Sequence, residues 1–180
     1  YPYPYPLPLP LALALPLPLP LAPTLTRLLP RLQRALGWHA VFAVLAGPGF
    51  GKTAFASSVC AAQGDAVVAV HLCRSDDDQS RDPVAVVKSI AAQLAQAVPE
   101  YREALVRDLE AVRTKVDDPK ASARSLLRCL VVEQLRTLEP PTTSKLIVID
   151  GLDECERDGG RNPLLDLVTG GLGRSLPPWI

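Results

Sequence analysis

The chain contains 180 residues, and its 19 lysine and arginine residues balance 19 aspartate and glutamate residues. A net charge of zero gives no electrostatic basis for binding nucleic acid or an acidic membrane surface, so neither is an expected partner. The four cysteines lack metal-ligand spacing, which predicts free thiols in a reducing compartment and therefore a cytoplasmic location.

Residues 1–24 form a low-complexity tail of repeated Tyr-Pro and Leu-Pro dipeptides around a short Leu-Ala stretch. Frequent proline removes the N–H groups that a helix needs, and the unpaired carbonyls would be costly in a bilayer. We therefore expect an extended, disordered tail, with a peptide ligand for an aromatic groove as the alternative. Residues 25–180 suffice for one α/β domain. Because the chain lacks methionine and begins with Tyr1, we expect it to be a fragment.

Residues 46–53 read Ala-Gly-Pro-Gly-Phe-Gly-Lys-Thr, between a predicted strand at 40–46 and a predicted helix at 52–63. A glycine-rich turn in this position directs several backbone N–H groups to one point, and the helix N-terminus adds partial positive charge. The sequence therefore predicts a phosphate-binding loop, in which Lys52 reaches the β- and γ-phosphates and Thr53 ligates Mg²⁺. A plain glycine-rich turn is the alternative. The predicted nucleotide-binding residues are Gly47, Pro48, Gly49, Phe50, Gly51, Lys52, Thr53 and Ala54.

Two further strands are predicted, at 66–72 and 145–150, and the second ends in Asp150. The second reads Lys-Leu-Ile-Val-Ile-Asp, and an uninterrupted apolar run is typical of a strand buried on both faces of a parallel sheet. At the carboxyl end of such a strand, a side chain faces the crevice where ligands bind. Asp150 is therefore predicted to hold Mg²⁺ together with Thr53.

The segment between these two strands is predicted to be mainly helical. Proline in the first turn favours a helix at 83–98, and amphipathic patterns predict helices at 100–113 and 121–138. Residues 114–117, Thr-Lys-Val-Asp, match the motif that reads guanine in GTPases. They precede the metal-binding strand and do not follow a strand end, so we interpret them as a linker.

The residues after Asp150 read Gly-Leu-Asp-Glu. Gly151 is a small residue that would leave room beside the metal, and Asp153 and Glu154 form a carboxylate pair. One of the two could accept a proton from, or orient, the water that attacks the γ-phosphate, and the sequence does not distinguish them. The alternative is that both cap a helical turn or face solvent.

Residues 146–155, Leu-Ile-Val-Ile-Asp-Gly-Leu-Asp-Glu-Cys, resemble the Walker B segment of NACHT-type P-loop ATPases, which belong to the STAND class of signalling NTPases. Other stretches resemble the nephrocystin-type N-terminal NTPase domain, so the resemblance covers about residues 25–180. These stretches are Val70–Cys73, Arg81–Pro83, Lys88–Leu94 and Leu176–Ile180.

The resemblance implies a three-layer α/β P-loop sheet of mostly parallel strands flanked by helices, incomplete at its C-terminus. It implies ATP or ADP and Mg²⁺ as ligands, and a slowly hydrolysing signalling switch whose protein partners bind through downstream repeats absent from this chain. Two alternatives stay open. One is an inert scaffold that holds nucleotide without turnover. The other is a small-molecule kinase, which the water-handling pair at 153–154 disfavours.

Overall fold

The computed structural model of the chain describes residues 49, 51–157, 160–172 and 175–180, with the backbone alone at residues 171 and 172. This part of the chain is mixed α/β. Its elements, in chain order, are helix α1 (Lys52–Ala62), strand β1 (Val67–Leu72), helices α2 (Asp78–Arg81), α3 (Pro83–Ala97), α4 (Pro99–Arg107), α5 (Leu109–Asp117) and α6 (123–136), strand β2 (Leu146–Asp150), a 3₁₀ turn (Leu152–Cys155), and helix α7 (Pro163–Leu167) with a π-helical end (Val168–Leu172).

Strands β1 and β2 pair in parallel, which confirms the two strands predicted at 66–72 and 145–150. Leu72 lies opposite Asp150, so both strands end at the same edge. The loop after β1 and the turn after β2 therefore begin side by side at that edge of the sheet. The predicted strand at 40–46 lies outside the described residues, and the three-layer sheet stays a prediction.

Helix α3 covers one face of β1 and forms the centre of the core. The side chain of Asp82 accepts hydrogen bonds from the N–H groups of Val84 and Ala85, so it caps the start of the helix. Ile90 and Leu94, one turn apart, are fully buried, which matches the period of a helix with one apolar face. The buried cluster also contains residues of β1, α4, α6 and α7, including Ala69, Tyr101, Leu126, Leu135 and Leu164.

Helix α6 occupies most of the helix predicted at 121–138, but it is not regular. It consists of Ala123–Leu126, a π-helical segment Leu127–Val132 and Glu133–Arg136, which follow one another without a break. The hydroxyl of buried Tyr101 donates a hydrogen bond of 2.5 Å to the carbonyl oxygen of Leu130 inside the π segment. Tyr101 thus provides a hydrogen-bond donor from outside the helix for a carbonyl group in the segment where the regular α-helical hydrogen-bond pattern is altered.

Two predictions for the helical segment are wrong. The helix predicted at 100–113 is two helices, α4 and α5, separated at Asp108, whose φ of −103° and ψ of 22° are not helical. The Asp108 side chain does not cap α5, and its Oδ2 accepts a hydrogen bond of 3.4 Å from the side-chain amide of Gln134. Residues 114–117, interpreted as a linker, are instead the last turn of α5.

The last described residues lie beside the start of β2. The N–H of Lys145 donates a hydrogen bond of 2.7 Å to the carbonyl oxygen of Trp179, whose side chain is buried in the core. Among the described residues, no helix combines the length and the apolar character that crossing a bilayer requires. The Pro/Leu-rich tail at 1–24 lies outside these residues.

Candidate functional site

The start of α1 contains the part of the predicted phosphate-binding loop that the structure describes. Gly51 precedes the helix with φ of +81°, and Gly49 has φ of +78°. Glycine adopts this left-handed backbone without the strain that a side chain would impose. Within the first turn, Lys52 is partly buried and Thr53 is exposed, and the N-cap position is a glycine, which has no side chain to cap the helix. Ala54 follows in the same turn, whereas Gly47, Pro48 and Phe50 lie outside the described residues.

Asp150 ends β2 with one carboxylate oxygen in an unusual environment. Its Oδ2 is buried and has no hydrogen-bond partner within the part of the chain that the structure describes. A buried carboxylate oxygen without a donor or a cation is costly. Because Mg²⁺ prefers hard oxygen ligands, the carboxylate of Asp150 and the hydroxyl of Thr53 suit this ion.

The first turn of α1 and the turn after β2 meet at one point. Lys52 Nζ lies 3.3 Å from Asp153 Oδ2, and the side chains are 23% and 64% exposed, respectively. This contact brings the predicted phosphate-binding lysine to the carboxyl end of β2. The Asp153 side chain is largely exposed to solvent, so the ion pair stabilises the fold little, by about 1 kcal/mol or less.

Glu154, the other acid of the pair, contacts a different part of the molecule. Its Oε2 accepts a hydrogen bond of 2.8 Å from the N–H of Ser75, which lies in the loop after β1. The same loop contacts the backbone of β2, since the N–H of Cys73 donates 2.9 Å to the carbonyl oxygen of Asp150. The two acids therefore face two different partners.

Two buried thiols lie at the turn after β2, and one of them belongs to Cys155, the last residue of that turn. Cys73 and Cys155 are fully buried and are not joined by a disulfide. Burial in the core raises the pKa of both thiols, so both are protonated near neutral pH. Cys60 and Cys129 are also free thiols, as the sequence predicts.

Two contributors to the site were not predicted from the sequence: the loop at 73–75 and Asn162, which contacts the turn after β2. The side-chain N–H of Asn162 donates a hydrogen bond of 2.6 Å to the carbonyl oxygen of Leu152, and its Oδ1 caps α7 by accepting from Leu165 N–H. Ser75 is separated from Glu154 by 79 residues. The one available signal was that both loops follow strands predicted to be parallel, which implies that they share an edge.

A family model described as "Nephrocystin 3, N-terminal" matches residues 32–177 of the chain. No curated protein and no solved structure gave a match. The family model spans most of the chain and includes both α1 and the turn after β2.

Proposed function

The chain belongs to the nephrocystin 3 N-terminal family, and we propose that it binds Mg²⁺-ATP as a NACHT-type signalling switch and hydrolyses it slowly. The observation that supports this most is the contact of 3.3 Å between Lys52 Nζ and Asp153 Oδ2. The lysine predicted to hold the terminal phosphates lies beside a carboxylate that follows the predicted metal-binding strand. Phosphoryl transfer depends mainly on such positioning of charges around the phosphates.

Each described residue has a role in this proposal. Gly51 lets the chain enter α1 from a left-handed backbone, and the backbone N–H groups of the first turn are donors for phosphate oxygens. The Lys52 ammonium neutralises charge on the β- and γ-phosphates. Thr53 and Asp150 hold Mg²⁺, whose charge, when bound, offsets that of the phosphate oxygens.

The Oδ2 atom of Asp150, which has no hydrogen-bond partner among the described residues, supports the metal part of the proposal. A buried carboxylate oxygen of this kind suits a Mg²⁺ ion, which prefers oxygen ligands. β1 and β2 would be two strands of a three-layer P-loop sheet. A cytoplasmic location and protein partners that respond to the bound nucleotide belong to the same proposal.

Calorimetric titration of the chain with Mg²⁺-ATP tests the proposal through Lys52→Ala. We expect the substitution to weaken ATP binding about 100-fold, which is about 3 kcal/mol, because a cation is lost from among several phosphate charges. Lys120→Ala, which truncates an exposed lysine outside the helices, is the control and should bind like the wild type. Unchanged affinity of Lys52→Ala would refute the site.

Phosphate release distinguishes the switch from an inert scaffold. The switch predicts slow release of phosphate from ATP in the wild type. Tight binding of ATP or ADP with no release of phosphate would instead favour the scaffold. Transfer of the γ-phosphate to a small acceptor would favour the kinase.

A further inference from the structure

We propose that Glu154 is a positioning residue that anchors the turn after β2, and that Asp153 is the acid of the pair that meets the nucleotide. The inference rests on the proposed function, and both acids are candidates from the sequence for handling the water that attacks the γ-phosphate. It assigns the two carboxylates to different tasks by the partners that they contact.

The geometry of the turn separates the two side chains. Residues Leu152–Cys155 form a 3₁₀ helix, which has three residues per turn, so neighbouring side chains point about 120° apart. Asp153 is directed to Lys52 at 3.3 Å, whereas Glu154 is directed to the N–H of Ser75 at 2.8 Å. A carboxylate beside the phosphate-binding lysine is within reach of a terminal phosphate, and one turned to the other loop is not.

Glu154 belongs to a row of contacts that joins the turn to residues 73–75. The N–H of Cys73 donates a hydrogen bond of 2.9 Å to the carbonyl oxygen of Asp150, and the side chains of Cys73 and Cys155 are both fully buried. Gly151 approaches the carbonyl of Cys73 so closely that a Cβ atom would lie 2.6 Å from its oxygen. The Glu154–Ser75 bond extends this row to the exposed side of the turn and fixes the direction in which Asp153 points.

The two roles make different chemical demands on a carboxylate. An anchor needs only an oxygen that accepts a hydrogen bond from Ser75 N–H, and the amide oxygen of glutamine provides one. A group that takes a proton from water needs a basic carboxylate, which an amide cannot replace. Substitution by the corresponding amide therefore distinguishes the anchor from the acid.

The experiment compares Glu154→Gln, Glu154→Ala and Asp153→Asn by steady-state ATP hydrolysis, with Glu156→Gln as an exposed acidic control. We expect Glu154→Gln to keep kcat within about threefold of the wild type and Glu154→Ala to lower it about tenfold, since only the amide preserves the anchor. Asp153→Asn should lower kcat about 100-fold, a typical loss for a proton acceptor. It should also tighten ATP binding about two- to fivefold, because it removes a competitor for Lys52.

Amide hydrogen exchange at Ser75, measured by NMR without nucleotide, tests the anchor independently of ATP. Protection of the Ser75 N–H should be lost in Glu154→Ala and kept in Glu154→Gln and Asp153→Asn. A loss of kcat in Glu154→Gln equal to that in Glu154→Ala overturns the assignment, as does unchanged Ser75 protection in Glu154→Ala. If the wild type does not bind ATP, the proposed function and the role of Asp153 both fail. The Ser75 exchange then still decides the role of Glu154.

Discussion

Gly151 lies between Asp150 and the 3₁₀ turn, and its φ is +72°. A Cβ atom at this position would lie 2.6 Å from the carbonyl oxygen of Cys73, far inside normal contact distance. That oxygen is part of the backbone of the adjacent loop, so it cannot rotate away as a flexible side chain could. The sequence suggested that a small residue leaves room beside a metal. In the structure the space beside Gly151 is taken by the backbone of Cys73.

We predict that Gly151→Ala lowers the free energy of unfolding by about 3 kcal/mol, since it combines left-handed strain of about 1–2 kcal/mol with a backbone clash. Gly51→Ala is a control for strain, because its φ is +81° and its nearest contact among the described residues would be an ordinary 3.9 Å. Gly64→Ala has neither feature and should change stability least. Urea denaturation of the three variants measures these differences. Equal losses for Gly151→Ala and Gly51→Ala would show that the close approach to Cys73 does not matter.

In the described part of the chain, the edge of β1 that faces away from β2 is covered by a side chain from α3. The Gln93 side chain accepts a hydrogen bond of 2.9 Å from the N–H of Val70, and its amide donates one of 2.9 Å to the carbonyl oxygen of the same residue. These backbone groups face away from β2. The glutamine amide thus takes the place of a neighbouring strand at an edge whose backbone groups would otherwise be open to pairing.

We expect Gln93→Ala to destabilise the protein by about 1 kcal/mol, because two side-chain hydrogen bonds to the strand are lost and water replaces them only in part. Gln96→Ala is the matched control. It makes the same substitution in the same helix, so the change in helix propensity cancels, and Gln96 is exposed. Thermal denaturation of both variants measures the difference. Equal melting temperatures would contradict the role of Gln93 at this edge.

The elements that were predicted correctly are those in which the hydrophobic pattern of the sequence matches the secondary structure that forms. The run at 146–149 is apolar at every position and forms β2 together with Asp150. The π segment at 127–132 could not be predicted, because its apolar residues read equally well as a regular helix. The π segment is accompanied by the hydrogen bond from the Tyr101 hydroxyl to the Leu130 carbonyl, and these two residues are 29 positions apart in the sequence. The break at Asp108 was missed for a related reason, since an amphipathic pattern continues across it.

The parallel pairing of β1 and β2 explains how segments that are distant in the sequence form one candidate site. Because Leu72 lies opposite Asp150, the loop after β1 and the turn after β2 begin side by side. The acids of the turn were found from the sequence because they follow a recognisable strand. Their separate partners, Lys52 and Ser75, could not be assigned, because the direction of each side chain depends on the 3₁₀ geometry of the turn.

In the proposed function, the start of α1 and the end of β2 jointly bind a nucleoside triphosphate and its metal. A crystal structure with Mn²⁺ and a non-hydrolysable ATP analogue is the decisive measurement, because anomalous scattering locates the metal. We expect Mn²⁺ bonded to the hydroxyl oxygen of Thr53 and beside the carboxylate of Asp150, with Lys52 moved from Asp153 to the β- and γ-phosphates. Mn²⁺ bound elsewhere, or a nucleotide with no phosphate on Lys52, would contradict it.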